Sequence, residues 1–274
     1  MSPCRPPIFQ VQCPVPGVGV AYTKRGSNVS AHAWAGHSSE PYEAFNLGLH
    51  VGDDLAAVQA NRWELEHALG VKPFWLQQVH GRQVFRLGHT ADPQTEDALG
   101  LGPKADASVS TMTGHACAIL AADCLPVLMA SANGQVVGAA HAGWRGLADG
   151  VIASLIEAMQ EASPIGCADG LWAWLGPCIG FNQFEIGGEV VEALKANLAT
   201  DAHFKPSPAG RWLADLTQIA ARQIKLELAA RGLPQIGIAE DTACTFSSPS
   251  SFYSYRREAK TGRMAALIWR FVDP

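Results

Sequence analysis

A chain of 274 residues, 48% apolar and only 16% charged, is long enough to bury a sizeable core and too apolar to be wholly disordered. Its formal net charge of −5 argues against a dedicated nucleic-acid binder, while leaving an anionic substrate open, because local charge governs that. No apolar run approaches the roughly 20 residues that span a bilayer, and the proline-broken N-terminus lacks the apolar stretch of a signal peptide. The expectation is a cytoplasmic protein without a membrane partner. Seven cysteines, an odd number with no C-x-x-C pair, fit free thiols better than a disulfide framework.

Residues 1–16 read as a peripheral segment. AVQANRWELEHALG (57–70) has helical spacing and ends in glycine. FWLQQVH (74–80) reads as a strand, and TADPQTEDALGLGPKA (90–105) as a surface loop. ACAILAADCLPVLMA (116–130) resembles a strand buried on both faces, interrupted by Asp123, Cys124 and Pro126. GQVVGAAH (134–141) is a further buried strand, followed by a helix over 147–162 and a strand over 171–176. Helices are predicted over 189–198 and 213–232, and strands over 235–240 and 264–272. Strands that follow one another without intervening helices favour an α/β or α+β fold with mixed sheets. No repeat or linker divides the chain, so one domain over 1–274 is expected.

Three polar residues interrupt or end these apolar runs. His80 precedes Gly81, Cys124 lies between Asp123 and Pro126, and His141 precedes Ala142-Gly143. Small or turn-forming neighbours let the backbone bend and a ligand approach, and loops at strand ends are a common home for active sites. Two imidazoles and a thiolate suit a borderline metal, and three protein ligands with one open position is the usual form of a catalytic zinc centre. The three are 44 and 17 residues apart, so spacing alone does not bring them together. Taken singly, a cysteine in an apolar run is more often core, and each histidine is as readily structural as a ligand.

The strings FNLGLHVGDD (45–54), NR (61–62), QQVHG (77–81), ADCLPVL (122–128), HAGWRG (141–146), LGPCIG (175–180), FEIGGEV (184–190) and SYRREAKTGR (254–263) occur in fixed order. Together they resemble the YfiH/YlmD family, also described as the laccase-domain or multicopper polyphenol oxidase family, from about residue 17 to the end. The resemblance implies a four-layer α/β/β/α sandwich shared with cysteine-hydrolase-like proteins. It implies one zinc held by His80, Cys124 and His141. It also implies phosphorolysis of adenosine, inosine, guanosine and methylthioadenosine, with adenosine deamination as a second activity. The implied partners are purine nucleosides and phosphate, on a monomer or small homo-oligomer.

Around the ligands, His80, Cys124, His141 and Asp123 form the candidate catalytic set, with Asp123 orienting a ligand, acting as base or bonding backbone. Candidate substrate-binding residues are Asn46, Arg62 and Arg145. The Asn46 amide suits a ribose or base edge, or a turn. Arg62 reaches phosphate or is an exposed helical arginine, and Arg145 is a two-pronged phosphate donor or part of a salt bridge. Trp144 reads as core, Cys244 as a packed thiol, and Cys178 carries no catalytic role. Arg256, Arg257, Lys260 and Arg263 hold phosphate or a second subunit, or form a solvated turn. Rival readings are a copper polyphenol oxidase, a hydrolase with Cys124 as nucleophile, and a binding module without turnover. Nine histidines without a His-x-His pair speak against a four-copper laccase.

Overall fold

The computed structural model describes residues 6–26, 36–88, 101–198 and 202–271, so most of the loop expected over 90–105 lies outside the described residues. Five strands form one mixed sheet in the order β1 (Ile8–Gln10), β2 (Val18–Thr23), β14 (Met264–Arg270), β6 (His115–Ala121) and β3 (Lys72–Phe74). Six form a second, in the order β13 (Gln235–Glu240), β9 (Leu171–Leu175), β7 (Leu125–Ser131), β8 (Val137–Ala142), β5 (Ala107–Ser110) and β4 (Val84–Leu87). A small antiparallel sheet joins β10 (Glu185–Ile186), β12 (Arg211–Ala214) and β11 (Phe204–Ser207). In the two large sheets only the pairs β3/β6, β4/β5 and β13/β9 are parallel. The helices are α1 (Leu55–Leu69), α2 (Trp144–Asp149), α3 (Val151–Ala162), α4 (Pro164–Ala168), α5 (Gly188–Lys195) and α6 (Leu216–Ala230).

Alternation along the strands builds the core. Cys117 and Ile119 of β6 meet Leu128 and Ala130 of β7, with Trp172 and Trp174 of β9, in one cluster between the two large sheets. The intervening Ala116, Ala118 and Leu120 face the other way, onto Leu65 of α1 and the loop residues Phe45 and Leu47. On the far side, Leu125, Val127 and Met129 pack under α3 and α6. The mixed α/β class therefore holds, with helices outside two facing sheets. Among the described residues no helix is long and apolar enough to cross a membrane.

Several boundaries differ from expectation for physical reasons. The run 116–130 is two strands in different sheets, because the chain crosses between them at Ala122-Asp123-Cys124, where Asp123 turns at φ 101°. The strand expected over 74–80 ends at Phe74. Beyond it the Gln78 side-chain amide replaces a backbone partner, donating to the Leu120 carbonyl (2.8 Å) and accepting from the Leu120 N–H (2.7 Å). The helix expected over 147–162 starts at Trp144 and breaks at Gly150, whose φ of 91° splits it into α2 and α3. The one over 213–232 begins only after Asp215, which accepts from the Gln218 N–H, since the preceding residues form β12. Of the segment expected to be peripheral, Ile8–Gln10 is an edge strand and Val15 joins the inter-sheet core.

Candidate metal centre

Strand register brings the site together. In the six-stranded sheet Leu125 of β7 pairs with Ala142 of β8, so Cys124, one residue earlier, stands across from Gly143, one residue later. Likewise Ala107 of β5 pairs with Ala140, which sets Asp106 against His141. His80 arrives from the loop between β3 and β4. The ligating atoms of His80, Cys124 and His141 all lie within 4.8 Å of one another, and this is the one such group of three found among the described residues. The rings of His80 and His141 stand edge to face with centroids 4.8 Å apart.

Nothing in the sequence flagged Asp106, yet it organises the centre. Its carboxylate is fully buried and accepts from His141 Nδ1 at 2.9 Å. It also accepts three successive backbone N–H groups, of Val79 (3.0 Å), His80 (2.9 Å) and Gly81 (2.7 Å). One side chain thus orients one ligand's ring and holds the backbone of another. With Nδ1 engaged, His141 is left to turn Nε2 toward Cys124. His80 sits at φ 62° and Asp123 at φ 101°, conformations unfavourable for residues with a Cβ, and both flank the centre.

Burial alone would raise the Cys124 thiol, but His141 and His80, by charge and hydrogen bonds, outweigh it and bring it down to about 6. Burial opposes charge on His141 too, yet Cys124 and Asp106 hold it up, at about 9. Burial would also raise Asp106, but its bonds from His141 and from backbone N–H groups keep the carboxylate low. These shifts favour a thiolate beside a protonated imidazole, and a bound metal ion would displace that imidazole proton. The donor set fits a metal: a tetrahedral ion with such ligands needs donors roughly 3.5 Å apart, within reach of this cluster.

The glycine after His141 makes room for the ligands themselves. A Cβ on Gly143 would lie 2.9 Å from Cys124 Sγ and 3.5 Å from the His80 ring. Gly143→Ala is therefore expected to displace the thiolate and weaken metal affinity by about tenfold or more, read by chelator competition; unchanged affinity would show that Sγ is not confined there.

A cavity of about 500 Å³ opens on the three ligands. Its other walls include Trp144, Ile179, Phe184 and Tyr255, with the cations Arg145, Arg256 and Arg263 and the imidazole of His50. Burial first, then the charges of Arg263 and Arg62, push His50 down to about 4, so it stays neutral. Arg145 reaches the cavity stacked on Trp144, 4.4 Å from its ring. Asp123 lines it, but both carboxylate oxygens are committed, one to the Thr245 hydroxyl and one to the Arg256 N–H, each at 2.7 Å. These two bonds help hold the crossing turn.

Asn46 and Arg62 are not among the residues lining the cavity, and their polar groups build the loop behind it. The buried Asn46 side chain donates to Asp53, and its oxygen accepts the N–H groups of Gly48 and Arg263. Arg62 donates to the Leu47 carbonyl at 2.9 Å and lies over Trp75. In the cationic cluster Arg257 is tied to the carbonyls of Thr245, Phe246 and Phe252, while Arg256 and Arg263 face the cavity. Cys178 and Cys244 are free thiols on facing backbone segments.

Fold and site together define a mixed α/β protein with a His–Cys–His metal-type centre at strand ends. A family model described as multi-copper polyphenol oxidoreductase laccase matches residues 28–271, and the chain belongs to that family. It is 42% identical over 236 residues to a purine nucleoside phosphorylase of Pseudomonas aeruginosa, covering 85% of this chain and 89% of that one. The purine nucleoside phosphorylase YfiH of Escherichia coli gives the same identity and coverage, 42% over 236 residues, 85% and 89%. Among solved structures, a Neisseria meningitidis protein superposes with a TM-score of 0.81 at 36% identity, covering 97% of this chain and all of that one, 100%. YlmD from Geobacillus stearothermophilus superposes at 0.83 with 27% identity, covering 96% of both.

Proposed function

We propose that this chain is a zinc-dependent purine nucleoside phosphorylase with adenosine deamination as a second activity. The observation that carries the reading is the His80–Cys124–His141 group opening on a cavity of about 500 Å³ with aromatic and cationic walls. The names of relatives spanning most of the chain support it. A mixed imidazole–thiolate set suits zinc, which when bound supplies Lewis-acid polarisation of an oxygen. Trp144, Ile179, Phe184 and Tyr255 offer flat apolar surface for a purine. In phosphorolysis a phosphate oxygen bonds the anomeric carbon as the glycosidic C–N bond breaks. The purine leaves with the electron pair and takes a proton, giving free base and ribose 1-phosphate. His80, Cys124 and His141 hold the ion, and Asp106 and Asp123 hold the segments that carry them. Six free thiols among the described residues fit a reducing compartment, and we place the protein in the cytoplasm as a monomer or small homo-oligomer.

The family description favours a copper oxidase as the second reading, since a His–Cys–His set also suits a blue-copper centre. A four-copper laccase needs a trinuclear cluster rich in His-x-His pairs, and the nine histidines of this chain include none.

Purified protein given adenosine is expected to release adenine only when phosphate is present. Inosine without adenine would reduce the activity to deamination. No turnover of any purine nucleoside, together with oxygen uptake on a phenol, would replace the phosphorylase with the oxidase.

A further inference from the structure

Three guanidinium groups share the cavity with the metal-type group, and none has a carboxylate within ion-pair distance among the described residues. The arginines that do pair with carboxylates, Arg82, Arg86, Arg211, Arg231 and Arg257, all lie outside its lining. Arg263 is the most firmly built of the three. Its N–H donates to the buried Asn46 Oδ1 at 2.8 Å, and its carbonyl accepts from the Leu47 N–H at 3.1 Å. Its side chain lies so close over Gly48 that a Cβ there would stand 2.8 Å from Arg263 Cγ. Nη1 donates to the carbonyls of Thr261 and Gly262, both at 3.0 Å. Nε and Nη2 have no protein acceptor among the described residues, and they belong to a half-buried side chain that lines the cavity. Arg256 uses one nitrogen, Nη1, on the Glu185 carbonyl, and Arg145 has no acceptor at all among the described residues.

Asp123 and the Cys124 thiolate act on Arg263 by charge, but neither forms an ion pair with any of the three guanidiniums among the described residues. Both Asp123 oxygens are taken by Thr245 and the Arg256 N–H, and the Cys124 thiolate belongs to the ligand group. Planar guanidiniums whose remaining N–H groups have no protein acceptor among the described residues match a tetrahedral oxyanion, which takes two N–H groups from one guanidinium.

We infer that Arg263, with Arg145 and Arg256, forms an oxyanion subsite beside the His80–Cys124–His141 group, and that its ligand is inorganic phosphate. The identity of the ligand rests on the phosphorylase reading; the subsite itself does not. Asn46, Gly48 and Leu47 then act as positioning residues that aim Arg263, which gives the FNLG and TGR strings one common purpose.

The test uses the full metal-loaded chain and the variants Arg263→Gln, Arg263→Lys and Arg145→Gln. Phosphate KM and adenosine KM are measured separately, and phosphate and adenosine 5′-monophosphate are titrated by calorimetry. Arg263→Gln is expected to raise phosphate KM and Kd about tenfold or more while adenosine KM moves less than about twofold. Arg263→Lys keeps the charge without the fork and falls between. Arg145→Gln, which removes a guanidinium that stacks on Trp144 but has no hydrogen-bond acceptor among the described residues, raises phosphate KM about threefold with little effect on folding. Equal phosphate KM and Kd in the wild type, Arg263→Gln and Arg145→Gln overturns the subsite. If the wild type shows no phosphorolysis, the phosphorylase reading fails on its own, and the calorimetric loss of phosphate binding in the variants still decides the subsite. Binding of the nucleotide but not of free phosphate, lost in Arg263→Gln, would overturn inorganic phosphate as the ligand.

Discussion

Cys124→Ala is expected to retain no stoichiometric metal after dialysis and to lose roughly three orders of magnitude in phosphate-dependent adenine release. The argument is geometric before it is chemical. Cys124 supplies the one thiolate of the group, at the turn where the chain leaves β6 for β7, and the donor atoms of both histidines lie within 4.8 Å of it. Removing the sulfur leaves two imidazoles, one of them exposed, which is too few donors for tight retention. The fold should survive, because the same β7 backbone pairs with β8 and β9 irrespective of this side chain. Metal content by elemental analysis and product analysis with adenosine give independent readouts. A variant that keeps full activity without metal would sink the metal-centred mechanism and leave the cysteine unimportant. One that keeps metal yet loses activity would instead favour Cys124 as nucleophile.

Much of this site was readable from residue types, and its assembly was not. Apolar runs ending in His80, Cys124 and His141 marked the ligands, because a polar residue at the end of a buried strand is conspicuous. What brought them together is register. The pairing of Leu125 with Ala142 and of Ala107 with Ala140 involves segments far apart in sequence, and no local pattern encodes it. Asp106 escaped notice for that reason: it looks like any aspartate before a strand until His141 is placed opposite. For Asn46 the sequence leaves a ribose contact or a turn open, and for Arg62 a phosphate contact or a helical arginine; Asn46 bonds Gly48, Asp53 and the Arg263 N–H, and one bond of Arg62 goes to the Leu47 carbonyl, pairings between segments that no local pattern encodes. Gln78 defeated the strand prediction by substituting its side chain for a backbone edge. The helix end at Gly70 follows from local chemistry, since glycine there takes the left-handed cap at φ 67°.

Asp106→Asn is expected to weaken metal affinity by about 10–100-fold and to lower folding stability by roughly 2–6 kcal/mol. In the wild type Oδ1 accepts from His141 Nδ1 and the His80 N–H, and Oδ2 from the N–H groups of Val79 and Gly81. An asparagine oxygen can serve one of these pairs. Its amide nitrogen then faces the other pair, donor against donor, in a fully buried place. If the loop N–H groups lose their acceptor, nothing compensates His80 for its left-handed backbone, and the ligand drifts. If His141 loses its acceptor instead, its ring is free to turn and its tautomer is no longer set. The native carboxylate is held below the ordinary range, so the stability it contributes is complete above that range and is lost as pH falls through the lower folded value. The variant lacks that contribution at neutral pH, so its stability deficit should be largest there and shrink in acid. Chelator competition at a temperature where the variant is folded separates affinity from stability, and denaturant unfolding at two pH values measures the second. Metal affinity and unfolding free energy both equal to wild type would mean that Asp106 neither orients His141 nor supports His80.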